Sequence, residues 1–172
     1  MTPGVFFCPD PHKFHPMKRL LPLLALVASV LIARADPLPE YAQIRSVAKD
    51  LLLRPVNASN KTGAPIVLYQ AQSWKCMTWK IEGTDTVTLQ NVFTGKPFVP
   101  KGEKYQVLQA DKDANKEWKI EPAGDGVFKI SDPKSGMVLT VVDDEHIALG
   151  PWLDKPEQKW KIEAKNPSDL TM

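Results

Sequence analysis

The sequence predicts an all-β chain built from three repeats of four short strands, and three observations carry that reading. One tetrapeptide recurs as Trp79-Lys80-Ile81-Glu82, Trp118-Lys119-Ile120-Glu121 and Trp160-Lys161-Ile162-Glu163, at spacings of 39 and 42 residues. Each copy is preceded, at a similar distance, by an apolar stretch: Ile66-Val67-Leu68-Tyr69, Tyr105-Gln106-Val107-Leu108 and His146-Ile147-Ala148-Leu149. Each stretch follows a turn signal, at Lys61-Thr62-Gly63-Ala64-Pro65, Pro100-Lys101-Gly102-Glu103 and Asp143-Asp144-Glu145. A fixed period of this length marks a repeat architecture, and alternation with Gly and Pro punctuation marks strands.

The third unit reads most cleanly. Val127-Phe128-Lys129-Ile130 alternates after Gly124-Asp125-Gly126. A Pro133-Lys134-Ser135-Gly136 turn leads into a strand over 137–142. The Asp-rich turn, a strand over 147–149, a loop through Pro151 and Pro156 and the Trp160 strand complete it. The second unit repeats the plan with 86–90, the turn Thr94-Gly95-Lys96-Pro97, Phe98-Val99, 105–108 and 118–120. In the first unit, 41–49 is compatible with a helix, and Leu51-Leu52-Leu53 with helix or strand.

Three units of four strands decide the architecture. A propeller needs about four or more blades to close, whereas three units close a β-trefoil, with six strands in a barrel and three hairpins capping it. Residues 37–165 are the expected trefoil domain and 166–172 a C-terminal tail. Trp79, Trp118 and Trp160 are expected inside as apolar plugs, each indole N–H needing one acceptor.

Residues 1–35 read as a leader. Met17-Lys18-Arg19 supplies a start and a positive region, Leu20 begins an apolar run that ends at Ala33, and Ala33-Arg34-Ala35 is a small-x-small cleavage site before Asp36. This is the pattern of a signal peptide over 17–35, which makes Met17 the expected start and leaves 1–16 outside the translated chain. The mature protein is expected to be secreted, extracellular or periplasmic, and free of the membrane.

The leader holds four of the 22 basic residues and one of the 20 acidic ones, leaving 18 against 19. A chain of about −1 net charge lacks the basic surplus that phosphate tracking requires, so nucleic acid is not an expected partner. Cys8 goes with the leader, so Cys76 stands alone between large apolar residues and reads as a buried small hydrophobe. His146 is the sole histidine after the leader and has no nucleophile-and-acid company. Asp143-Asp144-Glu145-His146 reads as a solvated turn, not a metal loop. No catalytic residue, metal or cofactor is expected. Asn57-Ala58-Ser59 and Asn60-Lys61-Thr62 are glycosylation sequons in a loop.

The repeat resembles the ricin-B-like β-trefoil lectins, whose units end in Gln-x-Trp. Gln158-Lys159-Trp160 carries that motif whole, while Met77-Thr78-Trp79 and Lys116-Glu117-Trp118 keep the Trp. The resemblance spans about 41–165 and implies a non-catalytic carbohydrate-binding protein. It also implies a sugar pocket in each unit, made by an Asp after the second strand, an aromatic platform and an Asn just before Gln-x-Trp. Those positions fall near Arg54, Tyr69 and Cys76 in the first unit. They fall near Val99, Leu108 and Asn115 in the second, and Thr140, Gly150 and Glu157 in the third. Tyr69 and Asn115 are the matches, in different units. Trp74 and Trp152 lie in loops outside the repeat, as contact residues for a sugar or partner or as covers over the barrel end. Tyr69, Asn115, Trp152 and Trp74 are therefore the candidate ligand-binding residues.

The third unit also looks like the fungal-type β-trefoil serine protease inhibitors. That resemblance implies a rigid core presenting one loop, here among 57–64, 71–75, 109–116 and 151–158, to a serine or cysteine protease. The expected partner is a glycan or an extracellular protease, met by a monomer.

Overall fold

The computed structural model describes residues 37–101, 106–114 and 116–171, together with Met1. The expected signal peptide, Cys8, Tyr105 and Asn115 lie outside the described residues. Among the described residues, twelve strands follow one another in three sets of four. The first set is β1 Tyr41–Ser46, β2 Leu52–Pro55, β3 Ile66–Tyr69 and β4 Thr78–Gly83. The second is β5 Val87–Asn91, β6 Phe98–Lys101, β7 Gln106–Gln109 and β8 Lys119–Pro122. The third is β9 Phe128–Ser131, β10 Val138–Val141, β11 Ile147–Gly150 and β12 Trp160–Ala164.

The first and fourth strand of every set build a closed barrel. β1 pairs β4, β4 pairs β5, β8 pairs β9, β9 pairs β12, and β12 returns to β1, all antiparallel. β5 meets β8 through two backbone hydrogen bonds between Val87 and Trp118, each 2.8 Å. The second and third strands form the hairpins β2–β3, β6–β7 and β10–β11. The hairpins touch one another in a ring, through Pro65 with Leu108, Gln106 with Ala148, and Val67 with His146.

The three tryptophans take equivalent places. Each is fully buried. The indole N–H donates to a backbone carbonyl on the second strand of the same unit: Trp79 to Leu53 at 3.2 Å, Trp118 to Phe98 at 3.2 Å and Trp160 to Leu139 at 3.0 Å. A buried indole left without an acceptor costs about 1–3 kcal/mol, so these bonds let the ring serve as core. Leu53, Phe98 and Leu139 are thereby equivalent, and so are the residues that follow them: Arg54, Val99 and Thr140.

The turn after the first strand is also repeated. Ser46, Asn91 and Asp132 each accept, on the backbone carbonyl, the N–H of the residue four ahead, Asp50, Gly95 and Gly136, at 3.0, 2.8 and 2.8 Å. Their side chains bind the turn as well: Lys49 N–H donates to Ser46 Oγ, Thr94 N–H to Asn91 Oδ1, and Lys134 N–H to Asp132 Oδ1. The fifth residue has positive φ in all three turns, at 58° in Asp50, 65° in Gly95 and 69° in Gly136.

The ambiguous first unit is strand throughout 41–46 and 52–55. Ala42, Gln43 and Ile44 are buried in succession, which erases the alternation that would reveal a strand. Gln43 tolerates this because its side-chain amide donates to the Gln72 carbonyl at 2.7 Å. His146, expected inside a strand, sits at the edge of one: it bridges Val67 immediately before β11, and the Asp143 carboxylate accepts its backbone N–H at 2.9 Å. Residues 166–171 fold back on the domain: Thr171 exchanges backbone hydrogen bonds with Ser73 and Lys75, and Leu170 is buried.

Candidate functional site

The first unit presents an aromatic face outside the barrel. Leu53 points to the core, so Arg54, its neighbour on β2, points to the opposite side of the β2–β3 hairpin. Leu52 pairs with Tyr69 in the ladder, which puts Tyr69 diagonally next to Arg54. The Arg54 guanidinium carbon lies 3.5 Å from the Tyr69 ring centroid. Trp74, in the loop before a 3-10 turn at Lys75–Met77, stacks on Tyr69 with centroids 6.4 Å apart and planes at 27°. Tyr69 is 40 % exposed, whereas Arg54 is 8 % exposed. Two of the four candidate residues, Tyr69 and Trp74, therefore form one surface.

Arg54 stands out energetically. Its Nε is the one buried side-chain polar atom among the described residues that has no hydrogen-bond partner. None of the ion pairs among the described residues includes it. Stacking on Tyr69 contributes about 0.5–2 kcal/mol, against about 1–3 kcal/mol for the unmet donor. Cys76 lies beneath the same face with Leu52 and Met77. Burial pushes its thiol up, against the opposing pull of the Arg54 charge, so it stays a neutral, packed side chain.

The third unit presents a small cleft at the equivalent place, its wall mostly apolar. Gln158, 2 % exposed, ties down the loop over 151–158. Its Oε1 accepts from Leu153 N–H at 2.7 Å, and its amide donates to the Pro151 carbonyl at 2.6 Å and to Thr140 Oγ1 at 3.2 Å. Thr140, Val141, Leu153, Lys155, Glu157 and Gln158 line a cleft of about 240 Å³. The complete Gln-x-Trp motif thus works structurally, with the Trp in the core and the Gln holding the loop. Trp152 is half-buried on that loop, with Lys129 Nζ 5.6 Å from its ring, and does not line the cleft.

The second unit differs. The hairpin register places Ala110, not Leu108, opposite Pro97 and hence at the position of Tyr69 and Gly150. Leu108, the platform position expected from the sequence, instead pairs with Val99. The offset arises because the platform was counted along a chain whose hairpin loops differ in length. Lys116, where Gln158 stands in the third unit, pairs with Asp132 and lies 5.3 Å from the Trp118 ring. Burial by itself would raise the Asp132 carboxyl, but Lys116, Ser135 and the Lys134 N–H together hold it below its usual range.

His146 Nδ1 lies 2.9 Å from Asp143 on an exposed turn, while Cys76 is buried beneath the first-unit face. Arg54 is the functional candidate that sequence reasoning left out. Its one signal was a lone charge in an apolar strand.

No protein-family model matches the chain, and no curated protein resembles it in sequence. Solved structures do resemble it in fold. A designed 3-fold symmetric protein, ThreeFoil, matches over 73 % of this chain and 99 % of its own with a TM-score of 0.68 at 19 % identity. The Rhizoctonia solani agglutinin matches over 77 % and 100 % with a TM-score of 0.68 at 18 % identity. A Macrolepiota procera ricin B-like lectin, solved in complex with lactose, matches over 74 % and 97 % with a TM-score of 0.65 at 19 % identity. With its six-strand barrel, three hairpins and three equivalent tryptophans, the chain has the fold of the ricin-B-like β-trefoils.

Proposed function

We propose that this protein is an exported, non-catalytic carbohydrate-binding protein. The observation that carries the reading is the Tyr69–Trp74 surface, at a position to which the resemblance assigns a sugar platform. Aromatic faces pack on the apolar face of a sugar ring, and neighbouring polar groups take its hydroxyls. The tied loop over 151–158 with its cleft at Thr140 and Glu157 offers a second recess, mostly apolar with polar groups at its wall. The M. procera neighbour, a lectin solved with lactose, supports the reading at the level of fold. Export rests on the signal-peptide pattern over 17–35.

A glycan array probed with the chain beginning at Asp36 tests this directly, with a panel of serine and cysteine proteases beside it. A saturable glycan hit that is lost in Tyr69→Ala, with the fold intact, upholds the proposal. A blank array with stoichiometric inhibition of a protease overturns it in favour of an inhibitor acting through one of the loops.

A further inference from the structure

We infer that the first-unit face recognises a glycan through an anionic substituent, a carboxylate or a sulfate ester, held by Arg54. The inference rests on the carbohydrate-binding reading and names the ligand class for one of its sites.

Three observations converge on this charge. The guanidinium stands at the place equivalent to Val99 and Thr140, so of the three units the first alone carries a charge there. An arginine has donors alone and no acceptor, so it selects an acceptor-rich group. The guanidinium also lacks a countercharge: its buried Nε has no hydrogen-bond partner, and no ion pair among the described residues includes it. Finally, Tyr69 covers its face at 3.5 Å. A stacked guanidinium keeps its N–H donors in the plane of the fork, and that edge matches the two oxygens of a carboxylate or sulfate. Cys76, raised by burial, meets the guanidinium as a neutral thiol and supplies no countercharge.

The Tyr69–Trp74 surface would then hold the sugar ring while Arg54 takes the anion. Ligand binding would satisfy the donor that the free protein leaves unmet.

Lactose, 3′-sulfolactose and 3′-sialyllactose isolate the charge on one neutral core, and an array of neutral and acidic glycans sets the wider context. At least one acidic derivative is expected to bind about tenfold or more tightly than lactose. Arg54→Gln should remove that preference. Arg54→Lys, which keeps the charge but lacks the fork, should recover little of it. Preference for the sulfate or the sialyl compound tells which anion is read. If Arg54→Gln fails to fold, the three ligands on the unaltered protein still decide. Equal affinity for lactose and both acidic derivatives, or array hits confined to neutral glycans, overturns the anion inference and leaves carbohydrate binding standing. A blank array overturns both.

Discussion

Phe98 meets Trp118 twice: its carbonyl accepts the indole N–H at 3.2 Å, and its ring lies 4.9 Å from the indole ring. The same Phe98 ring meets Trp79 edge-on at 5.0 Å, so one side chain links two of the three units. Phe98→Ala should therefore lower the unfolding free energy by about 3–5 kcal/mol, as for large aromatic truncations in a core. Trp152→Ala, on a loop, should cost about 1 kcal/mol or less. Urea unfolding of the two variants compares them, and near-equal losses would contradict the core assignment.

The repeated turn yields a backbone test. Asp50 holds φ of 58° where its counterparts are Gly95 and Gly136. A left-handed conformation disfavours a side chain by about 1–2 kcal/mol. Nothing lies within 4 Å of a Cβ added at Gly136, so Gly136→Ala should cost about 1 kcal/mol from the backbone alone. Asp50→Gly should leave thermal stability unchanged within about 0.5 kcal/mol, or raise it, since it trades strain for chain entropy. A large loss in Asp50→Gly would mean that the Asp50 contact with Arg45, at 3.4 Å, matters more than the backbone.

Gln158→Ala removes three hydrogen bonds that pin the loop over 151–158. Its cost is expected at about 1–3 kcal/mol, because it strands backbone groups beside a buried site. Hydrogen exchange at Leu153 should quicken well before that of the barrel strands. Unchanged protection at Leu153 would show that the loop is held by something else.

Acid should weaken the protein in a defined window. The Asp143 carboxyl is held at about 2 instead of 3.8, by the Glu145 and His146 N–H groups first and then by the His146 ring. A group that is the stronger acid when folded stabilises the folded state above pH 3.8, and that contribution disappears as pH falls from 3.8 towards 2. Glu163, lowered chiefly by its hydrogen bond from Arg45, acts in the same direction. Urea midpoints should fall between pH 4 and pH 2, and Asp143→Asn, which keeps an acceptor for the turn, should shrink the fall.

Much of the fold was legible because its three tryptophans repeat a demand that the chain meets identically each time, an apolar plug with one indole acceptor. β1 was not legible, because Gln43 is buried by a side-chain hydrogen bond to a loop 29 residues away, which no local pattern reveals. At the site, Tyr69 and Trp74 could be named, but their stacking depends on the hairpin register and the 3-10 turn. Ala110 was missed for the same reason, since loop length shifts a count along the chain but not a position in the ladder. Arg54 was visible as a departure. Its missing partner is a property of three dimensions.

The pairing of β1 with β12 has a consequence for how the protein is made. The Arg45–Glu163 ion pair joins residues 118 positions apart, so the first strand of the trefoil waits for its last before the ring can shut. Until then β1 keeps a bare edge on one side, open to strands from neighbouring nascent chains. Such distant pairing slows folding. A circularly permuted chain, with its ends joined and reopened in a hairpin loop, would make β12 and β1 neighbours in synthesis and turn the slowest closure into a local one.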